Sequence, residues 1–274
     1  MTIREQIEER EAKSLSAVAC KSNENLRLFT DKGALLLLKV SDIPETRPTQ
    51  RAVNLVSLLE LEKGESVISM IPESSDGEYL LATAGGMIKR TSAEDFLVRA
   101  KRTPAIGLKE KDTLVRVWKA TEQDILIITK SGMCIRFAAD SVPKTGRTGS
   151  GVGAIKLEPK DKVFFADQIG DEGELIIVSD RGFGKRSFLF DYEVQGRNGK
   201  GLKTFDFKKN GSNGTAVAFA GIVTEPYDLI LEQRHGTKTT VNTEQIYIQP
   251  KAGKGELLVP VVLDDDVVTG YKDL

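Results

Sequence analysis

The side chains in this sequence best placed to do chemistry are cations that return in phase. Lys89 and Arg90 follow Gly86 by three and four residues, and Lys185 and Arg186 follow Gly182 at the same interval. Arg136 follows Gly132 by four, and Lys238 follows Gly236 by two. A second series comprises Arg47 and Arg51, then Arg99, Lys101 and Arg102, then Lys144 and Arg147. It continues with Arg197, Lys200 and Lys203, and ends with Lys251 and Lys254. Repeated positions fall on equivalent faces, so these side chains are expected to form a ring or stripe. A curved basic stripe neutralises phosphates and releases counterions without reading bases. Bending a duplex costs on the order of 1–10 kcal/mol per 20–30 bp, so many contacts are needed to offset it. The competing reading is a set of ordinary solvated loop charges.

Other chemistry finds little support. A catalytic histidine needs a nucleophile and an orienting carboxylate, or companion metal ligands. His235 is the only histidine and stands beside Gly236 in an expected turn. Asp264, Asp265 and Asp266 read as a solvated acidic tail rather than a metal site. Gly149-Ser150-Gly151-Val152-Gly153 lacks the Lys-Ser/Thr ending of a phosphate-binding P-loop. Cys20 and Cys134 sit among apolar residues and read as small core side chains. No catalytic residue, metal or cofactor is expected.

The elements that position the cations are repeats. Five apolar strands, Leu26–Thr30, Tyr79–Thr83, Ile125–Thr129, Leu175–Ser179 and Leu229–Gln233, each run into a polar turn. The turns end at Gly33, Gly86, Gly132, Gly182 and Gly236, spaced 53, 46, 50 and 54 residues apart. Nineteen residues after each glycine stands a small residue: Ala52, Ala105, Gly151, Gly201 or Gly255. Strand–turn–strand with glycine at the turn is a β-hairpin. One hairpin cannot bury its apolar face alone, so the five must pack on one another. Radial packing also protects sheet edges, which favours a propeller-like, all-β array.

The chain has 274 residues, 40% hydrophobic, with 39 basic and 40 acidic residues and a net charge of −1. That balance is a poor overall signature for a nucleic-acid binder, although it says nothing about distribution. No apolar run reaches membrane-spanning length, and the charged start lacks a signal-peptide core, so a cytoplasmic protein is expected. Residues 2–13 read as a short N-terminal helix, with Thr2 and Glu5 as a capping box, inside an N-terminal linker at 1–13. Repeats are expected over 14–65, 66–110, 111–160, 161–212 and 213–257. Residues 258–274 then supply a closing strand around Val259, Val261 and Val262, before the acidic triplet returns the chain to solvent.

Some of these motifs resemble a known family. Gly182-Phe183-Gly184-Lys185-Arg186 precedes Asp191-Tyr192-Glu193-Val194 and the loop Gln195-Gly196-Arg197-Asn198-Gly199-Lys200-Gly201. This run is similar to the C-terminal domain of the DNA gyrase A protein, with its G-x-x-K-R strand and its Q-[KR]-R-G-G-K-G box. Gly132-Met133-Cys134-Ile135-Arg136-Phe137 leading to Gly146-Arg147-Thr148-Gly149-Ser150-Gly151-Val152 resembles the family's G-R-x-x-x-G-V loop. Leu28-Phe29-Thr30-Asp31-Lys32-Gly33 and Ile43-Pro44-Glu45 resemble an earlier blade.

The resemblance spans about residues 20–256. It implies a β-pinwheel of five or six four-stranded blades. Such a domain wraps duplex DNA on a basic rim, as part of the A subunit of gyrase or of topoisomerase IV. It implies partnership with the B subunit, plus the rest of the A subunit, in an A2B2 holoenzyme near the nucleoid. The cutting tyrosine, ATP and magnesium would belong to other domains. Two departures stand out: Gly196 replaces a basic residue and Asn198 replaces a glycine. The box-like loop also sits in the fourth repeat rather than the first. An alternative is a propeller that binds proteins and not DNA, although no Gly-His or Trp-Asp repeat signature is present.

Overall fold

Each hairpin turn rests on the same local chemistry. Thr30, Thr83, Thr129 and Ser179 end the first strand, and each backbone carbonyl accepts the N–H of the turn glycine three residues on, at 2.9–3.1 Å. Their hydroxyls accept the amides of Ala34, Met87, Met133 and Phe183 at 3.1–3.3 Å. The four glycines take φ of +74° to +79°, the left-handed region that a side chain disfavours. In the fifth turn Gln233 stands in for the hydroxyl residue, and its amide nitrogen reaches the Pro260 and Asp265 carbonyls instead.

The computed structural model describes residues 18–45 and 58–273. The expected helix at 2–13, Arg47, Arg51 and Ala52 lie outside them. The strands begin with β1 (Asn25–Thr30), β2 (Ala34–Lys39), β3 (Val67–Pro72), β4 (Glu78–Thr83), β5 (Met87–Ser92), β6 (Arg102–Pro104) and β7 (Leu114–Lys119). Next come β8 (Asp124–Thr129), β9 (Met133–Phe137), β10 (Val152–Gly153), β11 (Val163–Ile169), β12 (Glu174–Ser179), β13 (Phe183–Phe188) and β14 (Leu202–Lys203). The last are β15 (Val217–Val223), β16 (Asp228–Gln233), β17 (Lys238–Asn242), β18 (Glu256–Leu257) and β19 (Val267–Lys272).

These strands build five antiparallel sheets: β3-β1-β2-β6, β10-β5-β4-β7, β11-β8-β9-β14, β15-β12-β13-β18 and β17-β16-β19. The fifth has three strands among the described residues. In every sheet the register slips at the last residue of the central strand, beside the turn: Thr30, Thr83, Thr129, Ser179 or Gln233. The fourth strand of each four-stranded sheet comes from the following repeat, so a sheet and a sequence repeat are not coextensive. Leu202 and Lys203 pair with Cys134 and Met133, for example, and Leu257 and Glu256 pair with Phe183 and Gly184. In the first sheet Pro104 ends the outer strand, where the lack of an N–H is tolerated.

The chain forms two compact units, Met1–Ala120 with Val142–Val152, and Thr121–Ser141 with Gly153–Leu274. In the first, Phe29 and Leu35 of one sheet pack on Tyr79 and Leu81 of the next, with Phe96 set edge-on to Phe29 at 5.4 Å. In the second, β12 is buried on both faces. Leu175 and Ile177 pack with Leu126 and Ile128, while Ile176 and Val178 pack with Leu229 and Leu231. This accounts for the unbroken apolar runs of the first hairpin strands.

The end of the chain differs from expectation. The closing strand is Val267–Lys272, paired to β16, and not the segment around Val259, Val261 and Val262. Val259 is a core residue, whereas Val262 and the residue after it are exposed in a turn. The acidic triplet precedes the strand and anchors it. Asp266 pairs with Arg181 at 3.0 Å and Arg234 at 3.1 Å, and Asp265 accepts the His235 amide at 2.7 Å. Local apolar content pointed to the wrong segment because these long-range pairs decide which one enters the sheet.

Gly201 has φ +73°, and a methyl group there would overlap the Cys134 carbonyl. Gly196 has open space around it. Gly201→Ala should cost about 2–4 kcal/mol in urea denaturation. Gly196→Ala should fall within about ±0.5 kcal/mol.

Candidate nucleic-acid interface

Each outer strand is preceded by a loop carrying the second series of cations. Parallel bridges tie three loops to the hairpin they cover: Arg90 to Lys144, Arg136 to Val194, and Arg186 to Ile248. The first series lies under these loops, not on a surface. Lys89 and Lys185 are both 0% exposed. Lys89 Nζ donates to the carbonyls of Gly146 (3.2 Å) and Arg147. Lys185 Nζ donates to Ser187 Oγ and to the carbonyls of Pro250 (3.2 Å) and Lys251 (3.0 Å). Burial lowers both ammonium pKa values from 10.5 to about 8, which leaves them largely charged at neutral pH.

The arginines one residue on are also engaged. Arg90 pairs with Glu78 at 3.3 Å, Arg136 with Asp124 at 2.9 Å and Arg186 with Glu174 at 2.6 Å. The same spacing of twelve residues separates acid and arginine each time, and each acid opens a first hairpin strand. Arg136 also donates to the carbonyls of Leu189 and Tyr192 and pairs with Asp171, and Arg186 donates to those of Glu244 and Ile246. These arginines therefore close the 3-10 turns at Leu189–Asp191 and Thr243–Gln245. Lys89, Arg136 and Lys185 are excluded from any solvent-facing stripe, and Arg90 and Arg186 are largely spent on structure. A cation in phase with the repeat was read as surface, whereas the loop from the following repeat buries it.

The exposed set is different. Arg99, Lys101 and Lys238 are exposed and make no side-chain hydrogen bond or ion pair with a described residue. Lys144, Lys200, Lys203 and Lys254 also face solvent, Lys200 being 72% exposed. Each has an acid nearby: Glu78 at 3.1 Å from Lys144, Glu158 at 3.8 Å from Lys200, and Asp206 at 2.7 Å from Lys203 and 3.8 Å from Lys254. Exposed pairs of this kind are weak and exchange readily for another anion. Lys203 and then burial act on Asp206 in opposite senses, and its carboxyl lies below the usual range.

Arg102 is held more firmly. Burial pushes the Glu65 carboxyl up, but hydrogen bonds from Arg102, Thr30 and the Glu62 amide outweigh it and bring the pKa to about 2. Three half-buried cations brace loops. Arg147 donates to Thr103 Oγ1 and the Pro104 carbonyl, Arg197 to the Ser141 and Gly153 carbonyls, and Lys251 to the Asp191 carbonyl at 2.8 Å.

In the box-like loop, Gln195 and Asn198 tie the backbone down through N–H bonds to the Arg136 and Ala154 carbonyls, at 2.7 and 2.8 Å. Asn198 takes φ +65°, which asparagine tolerates better than most residues. The Gly199 carbonyl accepts the Lys156 amide at 2.8 Å, and Lys200 extends to solvent. Here Ile135 occupies the position that Lys89 and Lys185 fill in their repeats, and it lies beside Gly199.

The acids were absent from the sequence expectation. Only the twelve-residue acid–arginine spacing could have signalled them. Among the described residues no group of acids, histidines or cysteines could hold a metal ion, and no helix is long and apolar enough to cross a membrane. Arg136→Ala should cost about 3 kcal/mol, because it strands Asp124 and two carbonyls. Lys200→Ala should change stability by less than about 0.5 kcal/mol in the same denaturation assay.

The fold and loops have counterparts. The chain is 33% identical over 264 residues to the DNA gyrase A protein of Lawsonia intracellularis (strain PHE/MN1-00), a match covering 93% of this chain and 32% of that protein. The chain thus spans about a third of the length of that relative. The C-terminal domain of DNA topoisomerase IV superposes with a TM-score of 0.88 at 20% identity, covering 94% of this chain and 81% of that one. A DNA gyrase A C-terminal domain superposes with a TM-score of 0.75 at 23% identity, covering 95% and 86%. The family model described as DNA gyrase C-terminal domain, beta-propeller, matches residues 24–72, 77–117, 123–169 and 173–213. The sheets are therefore propeller blades, the all-β class expected from the repeats, and the chain belongs to the DNA gyrase C-terminal domain family.

Proposed function

We propose that this domain binds duplex DNA without sequence preference and bends or wraps it, as a non-catalytic part of the A subunit of a gyrase or topoisomerase IV. The observation that carries the reading is the exposed cations on the interblade loops of a gyrase-family propeller. Arg99, Lys101, Lys144, Lys200 and Lys254 stand on successive loops. Their acidic neighbours make them partly self-neutralised. Phosphates must displace Glu78, Glu158 and Asp206, so binding is weaker than a bare basic rim would give. The proposed partners are DNA, the B subunit, plus the remainder of the A subunit, in the bacterial cytoplasm at the nucleoid. The domain itself needs no cofactor.

One observation favours a protein-binding role as the second reading. Val194, Leu202, Tyr247, Ile248 and Leu257, on the same loops and outer strands of the second unit, are exposed apolar residues.

Affinity for a duplex of about 100 bp, measured against salt, separates the two readings. DNA binding predicts a steeply negative log–log slope and no sequence preference. Replacing Lys200 and Lys254 by Ala should lower the slope by about two. No binding at low salt would leave the protein-binding reading standing.

A further inference from the structure

Lys89 and Lys185 are the two most deeply buried lysines among the described residues, and the reading above gives them no contact with DNA. Each ammonium faces the backbone of a loop, and among the described residues no carboxylate lies within ion-pair distance of it. A lone buried cation is costly unless its donors are all met. Here two loop carbonyls accept from Lys89, and two loop carbonyls with the Ser187 hydroxyl accept from Lys185, which has a geometric consequence. No peptide bond in the described chain is cis. In a trans peptide the C=O and the following N–H point in opposite directions. The carbonyls of Gly146 and Arg147 turn inward to Lys89, so the amides of Arg147 and Thr148 turn outward. The carbonyls of Pro250 and Lys251 turn inward to Lys185, so the amides of Lys251 and Ala252 turn outward. None of these four amides has a backbone partner in the structure. Successive outward N–H groups make an anion-binding concavity.

We propose that Lys89 and Lys185 are positioning residues that hold the 146–148 and 250–252 loops with their amides presented to phosphate oxygens. This rests on the DNA-binding reading and adds a second kind of contact to it. The charge stays inside, and the loop surface is made electropositive by oriented peptide groups. Ser187 supports the arrangement, since its hydroxyl accepts from Lys185 and donates to the Gln249 carbonyl at 2.8 Å. In the third blade Ile135 fills the equivalent place, so the box-like loop depends on its side-chain cations. That blade also shows that an apolar side chain is compatible with folding at this position.

The test uses the whole chain with Lys89→Met and Lys185→Met combined, Ser187→Ala, and Lys200→Ala with Lys254→Ala as the direct-contact control. The double Met variant should keep its thermal transition. It should lose on the order of tenfold in affinity for a duplex of about 100 bp, with a salt slope changed by less than about one. The control should lose slope instead. Ser187→Ala should give a smaller affinity loss of the same kind.

A pH profile adds a readout that a merely structural role would not move. The groups around Lys185 are Cys134, Asp191, Tyr192 and Lys251, and those around Lys89 are Asp95 and Arg147. Burial pushes the Cys134 thiol up to about 12 and the Tyr192 hydroxyl above its ordinary value. The two lysines therefore titrate first, as pH rises past about 8. Wild-type affinity should fall on the order of tenfold between roughly pH 7 and 9, and the double Met variant should show a flatter profile. Unfolding is not the cause over this range. A lysine whose folded pKa lies below its unfolded value favours the folded state as pH rises between the two.

Wild-type-like affinity and pH profile in the double Met variant would overturn the proposal. Backbone order parameters at residues 146–148 and 250–252 that do not fall in that variant would overturn it as well. A wild-type chain that fails to bind DNA removes the reading on which the proposal rests. Order parameters that still fall in the Met variant would then confine the two lysines to holding the loops.

Discussion

A β-hairpin whose second strand ends a sheet exposes a row of unmatched N–H and C=O groups. In this chain that row is covered by two or three residues that arrive from the following repeat. The approach is close: at Gly201 there is no room for a methyl group against the Cys134 carbonyl. Most of the structure follows from this contact. In three repeats it requires a left-handed residue just before the outer strand, met by Gly151, Gly201 and Gly255, nineteen positions after their turns. It brings the preceding loop down over the hairpin, where Lys89, Arg136, Lys185 and Arg186 meet its carbonyls. It also leaves the loop crest as the surface on which Lys144, Lys200 and Lys254 stand.

The same contact sorts the charges. Lys89, Arg136, Lys185 and Arg186 on the hairpin strands become internal fasteners for carbonyl groups, while Lys144, Lys200, Lys203 and Lys254 remain in water beside Glu78, Glu158 and Asp206. A net charge of −1 is therefore compatible with local basic crests, because neutralisation is pairwise and close at hand. Exposed ion pairs at about 3–4 Å contribute little to folding and are the kind that a phosphate can replace. Affinity set in this way depends on exchange of partners more than on total charge.

The turns and core strands were legible in the sequence. Gly33, Gly86, Gly132 and Gly182 announce a positive φ, and a run such as Ile125–Ile128 has no polar face to offer water. Residue spacing by itself did not show the exchange of outer strands, because Val152–Gly153 and Leu202–Lys203 are too short to show periodicity. That gap explains the misplacement of Lys89, Arg136 and Lys185, whose burial depends on residues about fifty to seventy positions away. Lys200 and Lys254 stand in solvent at the crests of their loops, where among the described residues no loop from a following repeat covers them. The closing strand was missed for the complementary reason. Val267–Lys272 is less apolar than the stretch before it, and it is selected by Asp266 with Arg181 and Arg234.

The donated outer strand also bears on how such a chain can change length. Duplicating any stretch of one repeat, whatever its starting point, copies one acceptor hairpin and one donor segment together. The array could therefore gain or lose a blade in a single genetic event without creating an unmatched edge in its interior. A cut made within the array behaves otherwise, since it parts a donor from its acceptor and disturbs the blade before the break as well as the one that contains it. A change of one whole blade is tolerable for that reason, whereas a partial blade is not.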